Sequence, residues 1–308
     1  MNKKVDATEV YFIKLGRGGR WEEECLRDGI LRFGYDEASH KDCEAGNWDA
    51  VHQYYLKHRD NNKGTPSSDT TQVRIFYTGP ASAIFITFHG GRLHWCRAKP
   101  GVTLRDGERG RHIRHAVDGW HSESAGATAL TTDRLAGNLL MTQGFRGTIC
   151  RVKARDYLIR KLNDELLPEV VKAEEAEGAI IAAIVEMMLL LTPYDFELLV
   201  DLAFSNSGWR RLGIVGRTQK TVDIELLLPT TKERAFVQVK SKTGNVDLKD
   251  YITQFEGMQG YDRMFFIWHT GNLRIETSSP SVTLIGPEAL GRMVLDAGLY
   301  SWLKTKVS

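Results

Sequence analysis

The 308-residue sequence has no apolar run after its opening Met-Asn-Lys-Lys, so a chain without a secretory signal is expected. Its longest apolar stretch, Ala179 to Leu191, is broken by Glu186 and is too short to cross a bilayer. That argues against a membrane-spanning protein and predicts a buried helix. Proline is scarce, at 8 residues, and the chain is 42% hydrophobic and 26% charged, a composition that excludes a disordered chain. Cysteine is scarce too. Cys25, Cys43, Cys96 and Cys150 are widely scattered, which favours reduced thiols in a cytoplasmic protein over a disulfide framework. His40 and Cys43, with Cys25 and Cys96, form the one conceivable zinc set, and the lack of a close Cys-x-x-Cys pair sets it aside. Gly16-Arg17-Gly18-Gly19 fits neither a dinucleotide fingerprint nor a P-loop, so no nucleoside-triphosphate site is expected. No internal repeat is present.

What is there points to two domains, since one core rarely organises a chain of this length. Charge divides unevenly between them. Residues 1–155 hold 24 of the 41 Lys+Arg and 18 of the 39 Asp+Glu, leaving 17 and 21 for residues 156–308. A basic first half suits a polyanionic partner, and an acidic excess in the second suits a site that gathers divalent metal. The first half carries short strand-like runs: Val10–Leu15, Val73–Tyr77, Ala83–His89, Leu93–Ala98 and Thr148–Val152. Gly90-Gly91 marks a hairpin turn. Helices are expected at Trp21–Asp28 and Ala45–Arg59. The whole reads as a small β-barrel or curled sheet with a few helices.

From Lys153 to Leu191 the apolar residues recur at helical spacing, which predicts a helical connector over 156–190 between domains at 1–155 and 191–308. Thr192, Pro193 and Asp195 then form the start signal of a new helix. Strands at Val222–Leu228, Ala235–Ser241, Met264–His269 and near Ser281–Ile285 alternate with helices at Leu248–Met258 and from Pro287. This order implies an α/β domain with a mixed central sheet, and an α+β, two-domain chain overall.

Strand period two places chemistry on one face. In Ala235–Ser241, Phe236, Gln238 and Lys240 point the same way, and in the preceding strand Asp223 and Glu225 share a face. A hairpin through Pro229–Glu233 sets Asp223 beside Gln238 and Lys240. Glu197 stands at the edge of the apolar stripe Phe196, Leu199, Val200 and Ala203 on its helix. An acid, an amide oxygen and an ammonium thus converge at a sheet surface with a second acid nearby. Taken singly, each of these charges is as well read as an ordinary surface group. Glu225 is a fallback ligand, and Lys242 and Gln254 read as solvated residues near the same face.

Asp195-Phe196-Glu197-Leu198-Leu199-Val200, Gly208-Trp209, Val222-Asp223, Val237-Gln238-Val239-Lys240 and Gln254-Phe255-Glu256-Gly257-Met258, in this order, resemble the PD-(D/E)xK nucleases, in particular their Mrr-type restriction endonuclease branch. The resemblance covers roughly residues 191–272. Gln238 stands where many members have an acid, and glutamine is a common occupant in the Mrr-type branch. The resemblance implies a restriction-endonuclease-like fold and a Mg²⁺-dependent centre, with Mn²⁺ able to substitute. Asp223, Gln238, the Val239 carbonyl and Glu197 are then the expected metal ligands, and Lys240 the stabiliser of the pentavalent phosphate.

In the first half, Arg105, Arg109, Arg111 and Arg114, with His112 and His115, form a basic segment that reads either as a solvated loop or as a tracker of a phosphate backbone. Trp21, Trp48, Trp95 and Trp120 fall in this half. Core packing is the ordinary role of each, and Trp21 and Trp95 are the candidates for stacking on a base. The runs Tyr11-Phe12-Ile13-Lys14-Leu15-Gly16-Arg17-Gly18-Gly19, Ile84–His89 and Leu93-His94-Trp95-Cys96 look similar to PUA/EVE-like modules. That similarity implies an aromatic pocket for a modified base. Together the two resemblances imply a cytoplasmic, modification-dependent endodeoxyribonuclease of phage defence, acting on DNA as a homodimer. The alternatives are a non-cleaving nucleic-acid binder on a nuclease scaffold, and a nuclease of RNA.

Overall fold

The computed structural model describes residues 4–58, 64–107, 109–212, 223–271 and 279–308. The chain divides into two compact units, Met1–Leu167 and Pro168–Ser308. The boundary expected near residue 155 lies N-terminal to this division. No helix among the described residues is long and apolar enough to cross a membrane.

The first unit runs β1 (Val10–Ile13), α1 (Glu22–Asp28), β2 (Ile30–Phe33), α2 (His40–Glu44), α3 (Trp48–His58), α4 (Gly64–Thr78), β3 (Ile84–His89), β4 (Arg92–Arg97), β5 (Thr103–Leu104), β6 (His112–His115), α5 (Gly137–Leu140), β7 (Ile149–Arg151) and α6 (Arg155–Leu162). Its strands form a four-stranded sheet in the order β4-β3-β1-β7 and a three-stranded sheet β2-β6-β5. The expected barrel is therefore corrected: among the described residues the strands form two open sheets and close no barrel. The period of two decides how the larger sheet is covered. Tyr11, Ile13 and Phe85 face a core shared with Val73 and Phe76 of α4. Val10, Phe12, Ile84 and Ile86 face the other way, onto Leu158 and Leu162 of α6.

Two expectations fail here for physical reasons. Val73–Tyr77, read as a strand, lies inside α4. Asp69, Gln72, Val73 and Phe76 are all buried at helical spacing, and five residues are too few to separate a β-branched strand from one face of a helix. The basic segment, read as a loop, ends in β6, which pairs antiparallel with β2 through Ile30↔His115 and Arg32↔Ile113. The Gly90-Gly91 hairpin does form between β3 and β4, with both glycines at positive φ (57° and 72°).

The second unit runs α7 (Pro168–Met188), α8 (Pro193–Asn206), β8 (Arg210–Arg211), β9 (Ile224–Leu227), β10 (Arg234–Lys242), α9 (Asn245–Gly257), β11 (Arg263–Thr270), β12 (Val282–Ile285), α10 (Pro287–Asp296) and α11 (Tyr300–Val307). The sheet order is β12-β11-β10-β9-β8, mixed as expected. β10 runs antiparallel to β9 and parallel to β11, with α9 as the crossover. The start of α8 follows its sequence signal: the Thr192 hydroxyl oxygen accepts from the Asp195 N–H at 3.2 Å, and Pro193 occupies the first turn. Ala235 and Val237 of β10 pack beneath Phe196, Leu199 and Val200 of α8. Phe236, on the opposite face, packs with Leu248 and Phe255 of α9. The sheet is thus held between helices, and its β10 end carries the polar residues Gln238 and Lys240.

Candidate functional site

Asp223 sits one residue before β9. The register Val237↔Ile224 and Phe236↔Glu225 carries it opposite Gln238. The Gln238 amide nitrogen donates to Asp223 Oδ2, and the Val239 backbone N–H donates to the same oxygen at 2.8 Å. Two donors on one carboxylate oxygen fix its orientation and leave Oδ1 without a hydrogen bond among the described residues. Gln238 is 1% exposed, and its Oε1 is buried with no hydrogen-bond partner. An orphaned buried acceptor costs about 1–3 kcal/mol, and nothing among the described residues offsets that cost at Gln238 Oε1. Lys240, half-buried on the same face of β10, holds its ammonium 5.1 Å from the ring centroid of Tyr251 on α9.

Glu197 approaches from α8, with its side chain 32% exposed. Burial, and then the charge of Asp223, push its carboxyl above the usual glutamate value, while Arg211 pulls it back. The Arg211 guanidinium bridges Glu197 Oε1 at 3.5 Å and Asp201 Oδ2 at 3.2 Å. Sequence reasoning missed Asp201 and Arg211. Asp201 was findable, because it stands four residues after Glu197 on the same helix face. Arg211 was not, since nothing in a two-residue strand announces where its side chain goes. The fallback ligand Glu225 is engaged elsewhere: the Tyr261 hydroxyl donates to it at 2.5 Å. Lys242 and Gln254 are exposed. Val222, expected to open the strand, lies outside the described residues.

Among the described residues no group of three or more His, Cys, Asp or Glu side chains gathers as a metal site. That applies equally to the set around His40 and Cys43. The donors around Asp223 are of another kind: its own carboxylate, that of Glu197 and the Gln238 amide oxygen, all hard oxygens. The unpartnered Gln238 Oε1 beside the Asp223 carboxylate fits a small divalent cation such as Mg²⁺, which takes one or two carboxylates and keeps several waters.

The predicted nucleic-acid contacts of the first unit separate on inspection. Arg114, expected along a phosphate backbone, is 1% exposed and donates to the carbonyls of Phe76, Gly79, Ala98 and Lys99 at 3.0–3.3 Å. Its guanidinium also lies 5.5 Å from the Phe85 ring centroid. It is a strut of the core, because a buried guanidinium must give its five donors to something. Arg105 is exposed but paired with Glu24. Arg109 and Arg111 are exposed. Trp21 is half-buried, with the Arg32 guanidinium 4.6 Å and the Arg20 guanidinium 4.8 Å from its ring centroid. Trp95 is half-buried against His121, ring centroids 4.8 Å apart, and donates to the Glu123 carbonyl at 2.8 Å. His112 hydrogen-bonds Tyr77 at 3.0 Å, and Tyr77 bonds His40 at 2.9 Å.

No family model matches the chain, and no curated protein does. The solved MspJI restriction endonuclease in complex with a 27-mer oligonucleotide is similar over 79% of this chain and 68% of that one, at 14% identity and a TM-score of 0.32. At that TM-score the likeness decides neither fold nor function.

Proposed function

We propose that the chain is a metal-dependent endonuclease that hydrolyses phosphodiester bonds of DNA, with its centre on Asp223, Gln238, Lys240 and Glu197. The observation that carries this reading is the pinned Asp223 carboxylate, held by the Gln238 amide and the Val239 N–H beside an orphaned amide oxygen, with Lys240 two residues further along the strand.

Asp223, Gln238 Oε1, the Val239 carbonyl and Glu197 would hold Mg²⁺, and Mn²⁺ suits the same oxygens. When bound, the ion supplies Lewis-acid charge that draws electron density from the phosphoryl oxygens. The protein's own groups do the rest. Glu197 orients the attacking water and takes up its proton as the water oxygen bonds to phosphorus. Lys240 balances the extra negative charge of the pentavalent phosphorus. The bond to the leaving sugar oxygen then breaks, and that oxygen takes a proton from solvent.

We assign recognition of the DNA to the first unit and cutting to the second. A reader of modified bases joined to such a centre is a modification-dependent restriction enzyme of phage defence, working in the cytoplasm. Cutting both strands of a duplex calls for two centres, hence a homodimer on DNA.

The test is a panel of plasmids with and without modified cytosines, incubated with the protein and Mg²⁺. Modified plasmid is expected to be cut, and Asp223→Ala to lower the rate by about 10³-fold or more. No cleavage of any DNA, with Asp223→Ala indistinguishable from the parent, sinks the nuclease reading. Equal cutting of both plasmids removes only the dependence on modification, and cutting confined to RNA moves the substrate.

A further inference from the structure

The first unit contains a cleft of about 670 Å³ whose cations come from three distant stretches of chain: Lys14, Arg17 and Arg20 around the Gly16–Gly19 turn, Arg109 from the basic segment, and Arg146 before β7. Two acids, Asp36 and Glu37, share the lining. Arg17, Arg109 and Arg146 are exposed, and none has an acid partner among the described residues. Gathering that many like charges around one concavity is unfavourable unless an anion sits among them.

One wall of the cleft, around Arg109 and Trp21, is fixed by the surrounding contacts. Asp36 accepts the N–H groups of Gly110 at 2.7 Å and of Arg111 at 2.6 Å, so its carboxylate clamps the segment that follows Arg109. Gly110, at φ +67°, lies so close to Trp21 that a Cβ there would come within 2.5 Å of the ring. Gly16, at φ +84°, would come within 2.8 Å. Both glycines therefore admit the Trp21 indole as a fixed wall, and Arg32, donating to the Gly110 and Arg109 carbonyls, pins it from behind.

We propose that this cleft is a phosphate-binding site that grips the backbone of a nucleic-acid strand through Arg17, Arg109 and Arg146, with Lys14 and Arg20 at its margins. Planar guanidinium groups match phosphate oxygens two at a time, and their spread over one cavity fits successive phosphates better than a lone carboxylate. The volume lies within the roughly 300–1,000 Å³ of small-molecule sites, so a free nucleoside phosphate offers the same chemistry. The proposal rests on reading the first unit as the nucleic-acid-binding half; of the basic segment it keeps Arg109, and it replaces Arg105, Arg111 and Arg114 by Arg17 and Arg146, which lie outside that segment.

The test uses the full chain in EDTA, so that binding is read without cleavage. Anisotropy of a labelled duplex and of its single strand is followed between about 50 and 200 mM salt. Arg17→Ala/Arg146→Ala is expected to weaken duplex binding about tenfold at the higher salt and to lower the salt slope by about two, one for each phosphate that is no longer neutralised. Lys41→Ala/Lys57→Ala, which removes two exposed charges outside the cleft, is expected to leave the slope unchanged. Equal slopes for the two double variants, with mononucleotide binding also unchanged, overturn the proposal, as does a polyglutamate peptide that competes as well as an oligonucleotide of matching charge. A mononucleotide whose binding is lost in the cleft variant, while duplex binding stays intact, keeps the phosphate site but moves its source to free nucleotides. Failure of the nuclease reading is separately visible, as wild-type binding with these slopes and no cutting once Mg²⁺ is added.

Discussion

Arg114 in the first unit and Arg211 in the second both leave short strands and both engage several acceptors, yet their partners differ in kind. Arg114 gives its guanidinium to four neutral backbone carbonyls in the core. Arg211 lies between two carboxylates, one of which is the candidate proton acceptor. Carbonyls do not titrate, so the first arrangement can only stabilise a fold. Carboxylates do, so the second sets a proton affinity. An arginine's role is read from what it touches. A run of arginines along the sequence does not reveal it.

The largest effect is expected at Arg114. Arg114→Met strips the donors from those carbonyls and should cost about 3 kcal/mol or more of the first unit's stability, read by urea denaturation. A loss below about 0.5 kcal/mol would mean that the buried guanidinium is not the strut described. Arg211→Ala should cost the second unit about 1–3 kcal/mol, because Asp201 is left mostly buried without its partner, and should also act on the pH profile. Arg211 lowers the Glu197 carboxyl, so its removal lets that pKa rise further. The acid limb of cleavage then moves to higher pH, and activity on the acid side falls several-fold while the plateau holds. An unmoved limb would remove Glu197 from the role of base.

The smallest effect concerns His112. Burial depresses its pKa from 6.5 to about 4, so between those values the unfolded chain holds the proton and the folded chain does not. The contribution that His112 makes to the first unit's stability is therefore full above about 6.5 and is lost as pH falls toward 4. His112→Gln should flatten that slope in thermal melts taken across the window. An unchanged slope would place the sensitivity elsewhere.

The second unit was largely legible in the sequence, and the reason is local. The capping signal at Thr192 and the alternation of β9 and β10 each lie within one or two elements, and the register follows from which face must be apolar. The first unit was less legible because its decisive contacts are long-range. Nothing between Leu104 and Ala116 indicates that Arg114 turns inward, since its acceptors come from Phe76 near the end of α4, Gly79 just after it, and Ala98 and Lys99 just after β4. Val73–Tyr77 was misread because a short β-branched run is ambiguous until something packs against it. The cleft was invisible for the same reason: only the fold brings Arg17, Arg109 and Arg146 to one wall.

The hairpin joining β9 and β10 bears on how the molecule comes together in time. Asp223 and Gln238 are 15 residues apart, whereas the Lys14–Phe145 bond at the edge of the basic cleft spans 131 residues. Hairpins close in about 1–10 μs, and contacts of long sequence separation come late. Asp223, Gln238 and Lys240 therefore take their places with the turn itself, before α8 docks and delivers Glu197. The basic cleft waits for β7 to reach β1. Amide exchange should accordingly find the Val239 N–H among the slowest in the second unit, guarded by the carboxylate it helps to aim.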